Sequence, residues 1–94
     1  MSTLSKLEKM SQKYSDSTEA FIRSGVIMNL KEKKRLFQIE RFEILSRYQA
    51  ATVDELNHKI TEGKAPEHPG WEDLIEVKNI EAEIKEIEDD IRTL

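Results

Sequence analysis

The chain has no cysteine. Disulfides and thiolate metal sites are therefore excluded as sources of stability or chemistry. Helix breakers are scarce: two prolines and three glycines in 94 residues, four of these five between Gly63 and Gly70. Aromatics make up only 6% of the chain. No stretch approaches the ~18 consecutive apolar residues of a membrane span. Met1 to Lys13 lacks the apolar run of a signal peptide. These absences lead to the expectation of a soluble, cytoplasmic protein.

Catalytic signatures are missing too. No G-x-G-x-x-G, P-loop, G-x-S-x-G or H-E-x-x-H pattern occurs. His58 and His68 are the only histidines, and neither has a second His or Cys at metal-ligand spacing. Acid pairs such as Glu72/Glu76 and Glu86/Asp90 lie on strongly polar helix faces, where solvation is the ordinary role of a carboxylate. The expectation is a protein that is not an enzyme and holds no cofactor, metal or small-molecule substrate.

What is present is charge and helical periodicity. Charged residues make up 36% of the chain, a composition closer to long helices and coiled coils than to a compact enzyme. Val77, Ile80, Ile84, Ile87, Ile91 and Leu94 recur in alternating steps of three and four. That spacing keeps one edge of a helix facing a partner helix. Glu81 and Lys85, and Glu88 and Arg92, stand four apart in the orientation that supports a helix. From Phe21 to Tyr48 a second helical stripe carries Val26, Leu30, Phe37, Ile44 and Tyr48. Ile27, Phe42 and Leu45 widen it sideways. Leu4, Leu7 and Met10, extended by Tyr14, begin a third stripe.

Punctuation divides these stripes. Residues 1–62 form an N-terminal helical arm, with possible breaks near 15–17, at Gly25 and at 49–52. Asp16 with Glu19, and Thr52 with Glu55, have the spacing of capping boxes. Gly25 is the weak point of the long stripe, a candidate kink or close helix approach. Residues 63–70 form a Pro/Gly loop, with Gly63 placed to end the preceding helix. Residues 71–94 form the final amphipathic helix. No segment alternates as a strand. The predicted fold is all-α: a single-domain helical hairpin with coiled-coil-like packing.

The charge layout suggests how the arms meet. Residues 1–62 hold 11 Lys and Arg against 9 Asp and Glu, a net of +2. Residues 63–94 hold 4 against 10, a net of −6, and together the two give the chain's −4. Lys31, Lys33, Lys34, Arg35, Arg41 and Arg47 form the one basic patch. Its nearest counterpart is the acidic C-terminal helix, so the expectation is that this helix folds back on the long basic one. The alternative is a nucleic-acid accessory protein using this basic face, which the net negative charge disfavours. Trp71 opens the final helix, either as a staple holding the loop to the core or as an anchor for a protein partner.

Phe42-Glu43, Tyr48, Thr52-Val53-Asp54-Glu55-Leu56, Gly63 and His68-Pro69-Gly70-Trp71-Glu72-Asp73 together resemble a class of small all-helical prokaryotic proteins. Members of that class are encoded beside toxin-like genes and look like antitoxins acting by protein–protein contact. The resemblance spans Phe42 to Asp73. Gln49 stands where such proteins carry glycine after the tyrosine. What it implies is a non-enzymatic interaction module with an unidentified protein partner. A chain this short has a thin stability margin alone, so a homodimeric helical bundle is expected as well.

Overall fold

The computed structural model describes residues 2–14 and 17–94. It contains four helices: α1 (Thr3–Tyr14), α2 (Thr18–Ser46), α3 (Val53–Thr61) and α4 (Glu67–Thr93). No strand occurs among the described residues. The fold is all-α.

α2 and α4 lie side by side and antiparallel. Lys34 meets Glu88 at 3.8 Å, Arg41 meets Glu81 at 2.7 Å and Arg47 meets Asp73 at 3.7 Å. Each advance along α2 is thus matched by a retreat along α4. α3 packs on α4, and α1 folds back on the start of α2. The result is long and thin, 62 × 24 × 16 Å, with a radius of gyration of 19.7 Å. A compact chain of this length would have a radius of about 12 Å.

The helix ends follow local chemistry. α2 begins where the Ser17 side chain accepts a hydrogen bond from the Ala20 N–H at 3.0 Å. Of the predicted Asp16–Glu19 box, Asp16 lies outside the described residues. Glu19 turns outward to Arg23 at 2.9 Å. Gly25 causes neither a kink nor a close approach. α2 continues unbroken through it, and a Cβ there would meet nothing within 4 Å. Glycine weakens a helix but keeps its N–H, so the hydrogen-bond ladder is not interrupted.

α2 and α3 end in the same way. Ala50 N–H reaches the Leu45 carbonyl and Gln49 N–H the Ser46 carbonyl, both at 3.1 Å. At the end of α3, Lys64 N–H reaches Lys59 at 2.8 Å and Gly63 N–H reaches Ile60 at 3.1 Å. This paired closure needs a left-handed residue. Gly63 supplies it at φ 74° and Gln49 at φ 52°. Glycine takes that conformation without a Cβ penalty and glutamine does not. Thr52 caps α3, accepting from Glu55 N–H at 3.1 Å. The returning Glu55 carboxylate accepts from Ala51 N–H at 2.8 Å, one residue earlier than the simple box predicts.

α4 starts at Glu67, four residues before the predicted boundary. His68 and Pro69 are non-helical within it, their peptide bond is cis, and regular turns run from Gly70 onward. Gly70 is buried, and a Cβ on it would lie 3.1 Å from two side-chain carbons of Ile60. Its bare backbone lets α3 approach α4 here.

The core sits at this end. Ile44, Leu45, Ala50, Leu56, Ile60, Ala65, Leu74, Val77 and Ile80 form one buried cluster. Phe37, Tyr48, Val53, Trp71 and Ile84 pack around it. We refer to this as the closed end of the hairpin. The other end, built from α1, the start of α2 and the tail of α4, is the open end.

Candidate interaction surface

At the closed end a polar knot ties three helices together. Asp73, on the first regular turn of α4, is only 8% exposed. Its carboxylate accepts a hydrogen bond from the Tyr48 hydroxyl and faces Arg47 at 3.7 Å. Burial, reinforced by the Asp73 carboxylate, pushes the Tyr48 phenol up to about 12. Lys59 of α3 donates to the Tyr48 and Gln49 carbonyls, both at 2.9 Å. Among the described residues no buried side-chain polar atom lacks a partner. The knot fixes the corner between α2 and α3 against the start of α4.

The predicted seam is placed on the α2-facing edge of α4, with burial that fades along it. Val77, Ile80 and Ile87 are buried, and Ile84 and Ile91 are half-buried. Leu94 is exposed, a departure from the expected seam. It ends the chain beside Ile22 and Val26, which are themselves open. Trp71 packs half-buried against the core cluster, the geometry of a loop staple.

The basic patch divides. Lys34, Arg41 and Arg47 face acids of α4, as above. Arg35 pairs within α2, donating to Glu32 at 2.7 and 2.9 Å. That contact lowers the Glu32 carboxyl and raises the Arg35 guanidinium from their ordinary ranges. Among the described residues Lys31 and Lys33 enter no ion pair. The predicted pairs within α4 are replaced. Glu81 and Glu88 turn to Arg41 and Lys34, and Arg92 turns to Asp89 at 2.9 Å. Cations on the neighbouring helix compete with those on the acids' own helix, and Arg41 wins Glu81 at hydrogen-bond distance. Exposed pairs of this kind are worth about 0.2–1 kcal/mol each, so they select register more than they stabilise.

Both histidines are exposed and each meets a glutamate one turn on. His58 faces Glu62 at 2.7 Å and His68 faces Glu72 at 2.8 Å. The His68 contact holds the Glu72 carboxyl below its ordinary range. Lys64, with a smaller contribution from His58, does the same for Glu62. Among the described residues no three His, Asp or Glu side chains gather as a metal site, and no helix is long and apolar enough to cross a membrane.

Many large apolar side chains stay exposed on this elongated chain. The chain exposes 7066 Å². A compact protein of 11.0 kDa exposes about 5,600 Å². Leu4, Leu7, Met10, Tyr14, Phe21, Ile22 and Val26 stay exposed at the open end. α1 contributes one buried residue, Ser11, whose hydroxyl donates to the Glu8 carbonyl and shares a hydrogen bond with Thr18. α2 carries a second apolar line. Phe21, Met28, Ile39 and Phe42 recur in steps that keep them together, about half a turn from Phe37 and Ile44. All four are exposed, Met28 and Phe42 to 71%. Phe42 therefore does not widen the packed stripe as predicted.

A shallow groove also runs between α2 and α4. Leu30, Leu36, Phe37 and Ile87 line it, with Lys33 and Glu40 from α2 and Glu83, Glu86 and Asp90 from α4.

A family model, described as that of the uncharacterized protein MJ0235 family, matches residues 1–94. The chain belongs to that family. No curated protein and no solved structure matches it.

The match to the MJ0235 family model covers both ends of the hairpin, the open apolar surface as well as the closed knot. Two parts of this arrangement were absent from the sequence expectations. In the sequence Asp73 stands out only as the last residue of the His68–Asp73 motif. Yet it lies four residues before Val77 and continues the seam's own spacing backward. A carboxylate at a seam position is a signal of a buried polar contact. The outer line of α2 was legible in the same way, as apolar residues recurring off the main stripe.

Proposed function

We propose that the protein is a non-enzymatic helical interaction module that works in the cytoplasm and docks a protein partner along the outer face of α2. The observation that carries this reading is the exposed line of Met28, Ile39 and Phe42 on the outer face of α2, which Phe21 continues beside α1. Contiguous exposed apolar side chains rimmed by polar residues mark binding sites. The closed end, with its satisfied polar knot, supplies a rigid base for such a face. The resemblance of Phe42 to Asp73 to antitoxin-like proteins makes a toxin-like enzyme one class of partner. Trp71, half-buried, is then a positioning residue for the base. A nucleic-acid role would have to rest on Lys31 and Lys33, because Lys34, Arg41 and Arg47 are engaged with α4, and it predicts binding that falls steeply with salt.

A photo-crosslinking residue at Met28 or Phe42, expressed in the source cell, tests the proposal. The expected result is a discrete covalent adduct with a protein other than this chain, abolished by Ile39→Asp. The same probe at Glu62, on the closed end, gives no such adduct. Absence of adducts at Met28 and Phe42 overturns the reading.

A further inference from the structure

We infer that α1 of one copy docks in the groove between α2 and the C-terminal half of α4 of a second copy, and that the exchange is mutual. The inference goes beyond a foreign partner on the outer face of α2 and uses a different face of that helix.

The groove carries a charge that its own chain leaves unanswered. The seam between α2 and α4 has two flanks. On one, Lys34 meets Glu88 and Arg41 meets Glu81. On the other, the groove side, α4 presents Glu83, Glu86 and Asp90, while Lys33 and Glu40 of α2 offset each other. Among the described residues none of these five enters an ion pair. Between the walls lies an apolar floor of Leu30, Leu36, Phe37 and Ile87. Water solvates the carboxylates but is a poor solvent for the floor. A segment that covers it must bring an apolar stripe, with a basic edge toward α4 and a near-neutral edge toward α2.

α1 is such a segment. Leu7, Met10 and Tyr14 share one stripe and are each more than half exposed. Lys6, Lys9 and Lys13 follow one edge of that stripe, and Glu8 and Ser11 the other. Ser11 is the buried residue of α1, so the helix rests on its own α2 by the Glu8 and Ser11 edge and keeps the lysine edge clear. Among the described residues none of the three lysines enters an ion pair. The lengths agree as well. Leu30 to Glu40 measures about 15 Å along α2, and the 12 residues of α1 about 18 Å. The chain's own α1 does not fill this groove. Folded back from Tyr14, it runs beside about the first 18 Å of α2, and the groove begins at Leu30, about 18 Å from Thr18. Each copy offers one α1 and one groove, so exchange in both directions closes a two-fold pair. In that pair the lysines of each α1 face the acid wall of the other copy.

The test uses the purified full chain and sedimentation equilibrium over roughly 1–200 µM, since dimer stability depends on concentration. The expected mass is twice 11.0 kDa. A chain with Lys6→Glu and Lys13→Glu, and a chain with Glu83→Lys and Glu86→Lys, each dimerise at least about tenfold more weakly, because like charges then face each other. The acid reversal also brings the net charge from −4 to zero. Lower overall repulsion by itself favours association, so a weaker dimer reports the wall and not the total charge. Leu36→Glu, on the groove floor, gives a monomer whose helicity and Trp71 fluorescence are unchanged. Mixed one to one, the two charge-reversed chains regain the wild-type affinity as a heterodimer, and a chain carrying all four reversals regains it with itself. A wild-type monomer throughout the range overturns the inference. So does a dimer that ignores Lys6→Glu with Lys13→Glu, since something other than α1 then covers the groove, and so do reversals that mixing does not restore. None of these outcomes depends on the adducts at Met28 and Phe42, so this pairing and the foreign-partner reading fail separately.

Discussion

Leu45, Leu56 and Val77 at the closed end are at most 2% exposed, while Phe21, Ile22 and Val26 at the open end keep 40–54% of their surface. Both ends place large apolar side chains on α2. What differs is the number of neighbours. At the closed end α3 covers the angle between α2 and α4, and Gly70 lets it come close. At the open end α1 leans on one side of α2 and leaves the α4 side bare. A helix with a broad apolar arc is satisfied only by two neighbours. The closed end finds both within the chain, and the open end does not.

The comparison is broken most readily by truncation. Leu56→Ala removes a side chain with no exposed surface and is expected to cost about 2–5 kcal/mol. Met28→Ala, at 71% exposure, is expected to stay within about 0.5 kcal/mol. Urea denaturation of the two variants measures the difference, and comparable losses would remove the distinction between the ends.

Tyr48→Phe comes next. It leaves the Asp73 carboxylate buried with Arg47 at 3.7 Å as its remaining partner, at an expected cost of about 1–3 kcal/mol. The same phenol sets a pH window. Its folded value of about 12 lies above the ordinary 10.0. Between those values the native chain keeps a proton that the unfolded chain releases, so stability falls as pH rises through the window. It is fully present below about 10. Thermal melts from pH 9 to 12 should show this decline in the wild type and a shallower one in Tyr48→Phe. Equal slopes would mean that the knot does not hold the proton.

Gln49→Gly is the smallest effect and has the opposite sign. Residue 49 sits at φ 52°. Relieving the Cβ penalty there, less the extra freedom glycine gives the unfolded chain, leaves a gain of about 0.5–1 kcal/mol. A higher melting temperature with unchanged helicity checks it. A loss would show that the glutamine side chain contributes more than its backbone costs.

Much of the fold was legible because it depends on local chemistry. Thr52, Gly63 and the Pro66–Gly70 segment mark helix ends whatever the rest of the chain does, since caps and breakers act within a few residues. The three–four steps from Val77 to Ile91 name a packing edge for the same reason. Other features depend on neighbours and were read less well. Gly25 looks like a hinge in a list of residues and is only a glycine in an unbroken helix. Glu81 and Glu88 look paired within α4 until α2 brings Arg41 and Lys34 beside them. Phe42 looks packed until the geometry leaves it 71% exposed, and Leu94 looks buried until it is found half-covered beside Ile22 and Val26.

The sequence by itself therefore determined the class and the elements: helices, their approximate limits, their apolar edges and the opposite charge of the two arms. These follow from spacing and composition, which act at short range. Only the tertiary structure decided which edges were covered. It showed that Asp73 is buried under Tyr48, that α1 folds back on α2 yet leaves most of its apolar residues in water, and that one end of the hairpin is closed and the other open. Coverage depends on how many elements converge on one place, and convergence is a property of the packed chain that no local pattern contains.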